Sequence, residues 1–391
     1  MPYTQVANLD FNDIKLQLKE FLKAQNDLTD YDFEGSAISN LLDVLAYNTY
    51  YTAFNTNMVI NELFIDSATL RDNVVAIAKQ LGYRPKSSTA PTAYIDFTVT
   101  YQNATTDTEL ILKAGTGFLA QFDNNIYKYV VLNDTLAQVS NQIATFSNVE
   151  VREGTYVTNT FTVNASDKSQ RFVLDNPNID TNTIAAAVFP GGGSFNEPYL
   201  VADNILGIDS TSKIFFLEEI EDGRYEVKFG DGVLGKKLED NTEIRVSYIT
   251  TSGSVSNGVK TFIFQGVLEN PQGISPNAFD VSITSTVASS GGEEVETVDK
   301  IKFNAPKIYG AQDRAVTSDD YGAIIRSIYP ATSDIIVFGG EEQEPPNYGK
   351  VFLVIKPKDA SYLTSLTKNN IISELKKYVV ASVEPVILDP A

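Results

Sequence analysis

The chain of 391 residues contains no cysteine, no histidine and no tryptophan. Without Cys there is neither a disulfide nor a thiol nucleophile, and without His there is no serine–histidine triad and none of the common zinc sites. These absences leave carboxylate chemistry, such as a glycosidase pair, or an oxygen-ligand metal site. Basic residues are scarce as well: 30 Lys and Arg stand against 50 Asp and Glu, a formal charge of -20. Such a surface repels nucleic acid and anionic membranes, so direct contact with either is not expected. The amino terminus, MPYTQVANLDFNDIK, has no basic segment followed by an apolar run. It does not read as a secretory signal, and folding in a cytosol is expected. With 43% hydrophobic residues the chain can fill two or three substantial cores.

Charge is also missing from one long segment. LLDVLAYNTYYTAFNTNMVIN, Leu41 to Asn61, has no charged residue between Asp43 and Glu62, a run of 18. That is long enough to span a bilayer, but its Asn and Thr side chains would carry amides and hydroxyls into hydrocarbon at several kcal/mol each. The segment therefore reads as a helix that meets other protein on most of its sides. Tyr and Asn suit a surface that is apolar when docked yet soluble before docking, and a buried Asn fixes register. Ile38, Leu41, Leu45, Tyr47, Tyr50, Tyr51, Phe54 and Met58 are the expected interface residues of a bundle shared between chains. A charge introduced at Ala53 or Asn57 is expected to break that bundle. The competing reading is a core private to one domain.

Flanking this segment, residues 1–90 read as three helices forming an amino-terminal assembly region. Asp10 caps the first, with Ile14, Leu18, Phe21 and Leu22 on its buried face. The second begins after Gly35, with Ser36 as N-cap and Ile38, Leu41, Leu42 and Leu45 as its first apolar stripe. The third runs from about Asp66 to Leu81 through Leu70, Val74, Ile77 and Ala78, and is ended by Gly82 and Pro85. At AYIDFTVTY the period changes to two: Ile95, Phe97, Val99 and Tyr101 alternate with Asp96, Thr98 and Thr100. IYKYVVL, RYEVKFG, TEIRVSYIT and KTFIFQGV repeat the pattern, so residues 91–290 read as a β-rich middle domain, with PGGGS, Pro190 to Ser194, as an exposed loop. Residues 291–391 read as a small α+β domain. Thr317 and Asp320 have capping-box spacing before Ile324, Ile325 and Ile328, and DIIVFGG and KVFLVIKP are strands. The helix SLTKNNIISELKKYVV then leads to the strand-like EPVIL. The expected class is α+β multidomain.

Two motifs invite a chemical reading. FGDGVLGKKL satisfies G-x-G-x-x-G at Gly230, Gly232 and Gly235, with Lys236 placed like a phosphate ligand. That motif demands a strand before and a helix after, and here both neighbours alternate as strands, so a turn and connection between antiparallel strands is expected. Acidic runs at Glu218–Asp222, Glu293–Glu296 and Glu341–Glu344 read as solvated loops, because nothing nearby would tune a catalytic pKa. No calcium-loop pattern occurs, and neither a catalytic residue, a cofactor nor a metal is assigned.

Three blocks in order resemble a known family. YDFEGSAISNLLDVLAYNTYYTAFNTNMVINELFIDSATLRDNVVAIAKQLGYRP is similar to the baseplate wedge subunits of T-even-type contractile-tailed phages. RYEVKFGDGVLGKKLEDNTEIRVSYITTSG resembles the strand–turn–strand of the wider baseplate-J-like group, and GGEEVETVDKIKFNAPKIYGAQDRAVTSDDYGAIIRSIYP with the strands after it resembles that group's carboxy-terminal part. The resemblance implies a structural virion protein of the tail baseplate. It would pair with itself within a wedge, bind other wedge proteins through its amino-terminal helices, and join wedges into a ring around the tail hub. It implies rearrangement when sheath contraction is triggered, and it carries over no catalytic residues. Longer members continue beyond the point where this chain ends at VEPVILDPA. The alternative function is a tail-associated carbohydrate-active or receptor-binding protein.

Overall fold

The computed structural model describes all residues except 1–6, 8, 9, 25–35, 168, 203–206, 277, 313, 330, 331, 359–361, 364 and 391. Its contacts divide the chain into two units, residues 1–84 with 297–309, and residues 85–296 with 310–391.

The first unit is helical. α1 (Phe11–Lys23) starts where the Asp10 carboxylate accepts the N–H groups of Asn12 and Asp13, as its capping position predicts. Only Ile14 of its expected face is fully buried, Leu18 and Leu22 are half-buried, and Phe21 is exposed. α2 (Ala37–Glu62) is capped by Ser36 Oγ, which accepts from Ser39 N at 3.0 Å; Gly35 lies outside the described residues. α3 (Arg71–Gln80) starts five residues later than the apolar spacing suggests, because residues 63–69 turn instead. The Glu62 carboxylate holds that turn, accepting from Thr69 N, Thr69 Oγ1, Leu70 N and Asn73 Nδ2. Gly82, at φ 77°, ends the helix as expected.

A fourth helix, α4 (Val298–Ala311), was not legible, since Pro306 lies inside it and proline lacks an N–H and crowds the preceding turn. Burial sustains it: Ile301 and Ala305 complete one apolar cluster with Ala68, Val74, Val75, Ala78 and Tyr83. Full burial of a large aliphatic side chain contributes about 1.5–3 kcal/mol, comparable to the roughly 3 kcal/mol cost of an interior proline.

The second unit opens with β1 (Thr92–Tyr101), β2 (Glu109–Leu112), β3 (Gly117–Phe122), β4 (Asn125–Val130), β5 (Thr135–Ser140) and β6 (Ile143–Glu153). There follow β7 (Thr155–Thr162), β8 (Phe172–Leu174), β9 (Ile179–Phe189), β10 (Glu197–Val201), β11 (Ile214–Glu219), β12 (Tyr225–Phe229) and β13 (Glu243–Thr250). The chain then returns through β14 (Ile263–Gln265), β15 (Leu268–Glu269) and β16 (Phe279–Ser290). These strands make two sheets. The first has order β14-β3-β4-β6-β5-β2-β15, with β1 pairing both β6 and β16. The second, β7-β13-β9-β10-β11-β12-β8, is inserted within it.

Each sheet has its own core. Phe97, stacked on Phe146 at 4.6 Å, centres the first, and Tyr248, Phe215 and Ile244 centre the second. The predicted alternation of β1 holds from Ala93 to Tyr101. KTFIFQGV is a correction in length, since only Ile263–Gln265 forms a strand. Polar ties between the sheets include two buried carboxylates. Fully buried Asp180 accepts from Ala90 N at 2.9 Å and lies 3.7 Å from Arg152, and burial pushes its carboxyl pKa up. Glu153 accepts from Thr251 Oγ1 and Ser252 N. Between them Gly154 sits at φ 130°, where an added Cβ would lie 2.2 Å from Thr250 O, so only glycine passes.

The carboxy-terminal part has α5 (Ser318–Ile328), β17 (Thr332–Gly339), β18 (Lys350–Pro357), α6 (Ser365–Leu375) and β19 (Glu384–Leu388). The Thr317–Asp320 capping box is present, and β18 pairs antiparallel with β17 and parallel with β19. Ile325, Leu353, Ile355 and Leu375 lie in a core confined to this part. Its ties to the β region include Lys86 Nζ, which donates to the α5 end carbonyls of Arg326 (2.5 Å) and Ser327 (2.7 Å), and an ion pair of Lys358 with Glu293.

Candidate functional site

At 26 residues α2 is about 39 Å long, and its two faces differ in kind. The face turned into its own chain is made of Ser39, Leu42, Ala46, Ala53, Asn57 and Asn61. Most of these are small or polar, which lets neighbouring backbone approach closely. Asn57 is fully buried and clasps the segment before α1, accepting from Ala7 N and donating to Ala7 O, both at 3.0 Å. Asn61 Nδ2 donates to Asn57 O at 2.7 Å. Lys15 of α1 meets Asp43 at 2.5 Å. The expectation that Ala53 and Asn57 face a second chain is thus corrected: they belong to this chain's own packing.

The opposite side carries the large apolar residues. Val44, Tyr47, Tyr51, Phe54 and Met58 recur at steps of three and four, the seven-residue repeat of a helix–helix seam, with exposures from 40% at Met58 to 64% at Val44. A second row at the same alternation runs Leu41, Leu45, Asn48, Thr52, Asn55 and Val59, all exposed. Of the eight expected interface residues, Leu41, Leu45, Tyr47, Tyr51, Phe54 and Met58 are exposed, and Ile38 and Tyr50 are half-buried. Sequence reading missed Val44 and Val59, which the three-four spacing from Tyr47 and from Asn55 would have found.

Polar groups on this surface are turned inward on themselves. Thr49, Thr52 and Thr56 donate their hydroxyls to the carbonyls of Leu45, Asn48 and Thr52 at 2.8–2.9 Å, leaving methyl groups outward. Tyr47 and Tyr51 pack edge to face with ring centroids 4.7 Å apart, and their hydroxyls are hydrogen-bonded at 3.1 Å. That bond pushes the Tyr47 pKa up. The surface is uncharged and largely apolar, with the amides of Asn48 and Asn55 as its exposed polar groups, which suits a closing helix interface.

The glycine motif is a turn. Gly232 and Gly235 have φ of 95° and 88°, and the Asp231 carboxylate accepts from Val233 N and Leu234 N. Lys236 is bound to Glu197 at 2.9 Å. The strands it connects, β12 and β13, run antiparallel in direction but do not pair, being separated by β11, β10 and β9. Members of the first two acidic runs are also engaged: Glu218 with Lys228, Glu293 with Lys358, Glu294 with Ser254 N and Glu296 with Lys86 N. Among the described residues no group of three carboxylates could hold a metal ion. Open hollows of about 540 and 680 Å³ contain one carboxylate each, Glu269 and Glu153, so neither offers a glycosidase pair. No described helix is long and apolar enough to cross a membrane.

Comparison with known proteins bears on both ends of the chain and on its whole length. The helical domain described as "Baseplate wedge protein gp6-like" matches residues 10–83, from the Asp10 cap to just past the Gly82 stop. "Baseplate structural protein gp6, C-terminal domain I" matches residues 317–388, from the capping box to the end of β19. Baseplate wedge protein gp6 of Enterobacteria phage T4 is 29% identical over 97% of this chain. The chain is similar to the gp6-like baseplate wedge proteins at both ends and along its length. It spans 58% of the length of the T4 protein. The anti-feeding prophage baseplate aligns at 13% identity over 99% of this chain and 80% of the matched one, with a TM-score of 0.33. A type VI secretion TssK-TssF-TssG baseplate subcomplex aligns at 7% over 90% and 96%, with a TM-score of 0.35. At these scores neither likeness bears on fold or function.

Proposed function

We propose that the chain is a non-enzymatic structural subunit of a phage contractile-tail baseplate wedge, built into the wedge by burying the outward face of α2 against helices of other wedge proteins. The observation that carries this reading is the double row of exposed, uncharged residues from Leu41 to Val59, on a helix within the gp6-like segment. A large apolar patch of this regularity has a partner in a chain that is otherwise strongly acidic. Pairing of copies within a wedge, joining of wedges around the tail hub, and rearrangement on contraction follow from the same reading. Truncating a buried anchor of such a seam costs about 2–4 kcal/mol of binding.

The test is co-assembly. Tyr51→Ala with Phe54→Ala is expected to remove the chain from complexes with the other wedge proteins, read as mass by light scattering, while the free chain melts as before. Full assembly by this double variant would refute the role of α2. A saturable carbohydrate turnover by the purified chain would refute the non-enzymatic reading.

A further inference from the structure

β7 is an open edge of the second sheet. It pairs with β13 alone, in unbroken register from Thr155 opposite Thr250 to Thr162 opposite Glu243. Its sequence, TYVTNTFT, has no charge, no proline and no glycine. Sheet edges are normally protected by shortness, charge, proline or a bulge. The other edges here have such protection: β8 and β14 are three residues long and β15 two, β19 carries Glu384 and Pro385, and β17 carries Asp334. The register of β16 on β1 is broken by irregularities.

Backbone direction identifies which groups are open. Just past β7, Val163 N donates to Thr242 O and Val163 O accepts from Asn241 N, so the odd-numbered residues of this stretch bond inward. The even-numbered ones point away. At one end Gly154 N is taken by Lys128 O at 2.7 Å, and at the other Thr162 O is taken by Gln170 Nε2 at 2.7 Å. Among the described residues no hydrogen bond reaches the outward N–H and C=O of Tyr156, Thr158 and Thr160, which are centred on Thr158.

We propose that β7 pairs antiparallel with β7 of a second copy of this chain about a two-fold axis at Thr158. Thr158 then faces its own counterpart and Tyr156 faces Thr160 of the second copy, so every open N–H and C=O of the edge is bonded. A second copy is the occupant because the blocked positions, 154 and 162, lie symmetrically about Thr158. With no charge on the strand, nothing repels its own image at the axis. The geometry is independent of the α2 seam; only its use within an assembly rests on the function proposed above.

The test uses the absence of cysteine in the chain. In full-length protein, Thr158→Cys is expected to give a disulfide dimer under mild oxidation, since Cα atoms of facing residues in such a pair lie about 5.5 Å apart, within disulfide reach. Thr160→Cys faces Tyr156 rather than itself and is expected to cross-link at least about tenfold less. Thr158→Pro removes the outward N–H, together with the exposed Thr158 Oγ1–Ser247 Oγ hydrogen bond, and is expected to shift the sedimenting species from dimer to monomer with little change in melting; if that variant misfolds, the cysteine pair decides. A monomer at all concentrations without cross-linking, or equal cross-linking at both positions, would overturn the proposal. So would a dimer that survives Thr158→Pro but is lost with Tyr51→Ala, because the copies would then meet through α2. Failure of Tyr51→Ala to enter wedge complexes with the Thr158→Cys cross-link intact would uphold both readings separately.

Discussion

β1 and α2 are both rich in apolar side chains, yet they hide opposite kinds of residue. In β1 the large ones, Ile95, Phe97 and Val99, are buried and the polar ones lie on the other face. In α2 the buried residues are, apart from Leu42, small or amide-bearing, and most of the tyrosines and large aliphatic residues are outside. The contrast shows that apolar content alone does not identify a core. A strand flanked by polar alternates has one face to bury, whereas a helix without charge on any side can bury whichever face fits its neighbour most closely.

The largest effect should come from the strand side. Phe97→Ala removes a ring stacked on Phe146 and edge-on to Phe118, and is expected to cost about 3–5 kcal/mol in denaturant unfolding. A smaller loss would mean that this sheet can collapse around the gap. Ala53→Glu tests the inner face of α2: an unpaired carboxylate there is expected to destabilise the helical unit by about 2 kcal/mol or more, read by circular dichroism in the absence of partners. If the variant folds normally and only assembly fails, the assignment of the two faces is reversed.

Glu62 gives a pH-dependent effect between these elements. Burial raises its pKa, but hydrogen bonds from the Thr69 and Asn73 side chains and from the Thr69 and Leu70 N–H groups outweigh it and hold the pKa at about 2 instead of 4.5. A depressed carboxylate contributes stability that is present above pH 4.5 and lost as the pH falls through about 2. Glu62→Gln is therefore expected to lower stability at neutral pH and to flatten the acid limb across that window. An acid limb unchanged by the substitution would show that Glu62 is not what holds the turn into α3. The smallest effect is expected of Tyr51→Ala in the free chain, within about 0.5 kcal/mol of the parent, because the ring packs mainly on Tyr47 and Tyr50 at the surface. A loss comparable to that of Ala53→Glu would erase the distinction between the faces.

What the sequence by itself determined was local. The Asp10 and Ser36 caps, the Thr317–Asp320 box, the Gly82 stop, the turn at Gly232 and Gly235 and the alternation of β1 and β13 each depend on residues within a few positions of one another. The uncharged run of α2 likewise marked the segment that carries the candidate site. Which side of α2 turns inward was settled only in the folded chain, where small residues and the Asn57 clasp admit neighbouring backbone. The same is true of α4, which runs through Pro306 because α3 covers Ile301 and Ala305. The division of the β region into two nested sheets is also tertiary, since β1 pairs with β16 across the whole inserted sheet. Pairing at that distance depends on which edges meet and on the loop entropy overcome in bringing them together, and neither is encoded in the period of any single strand.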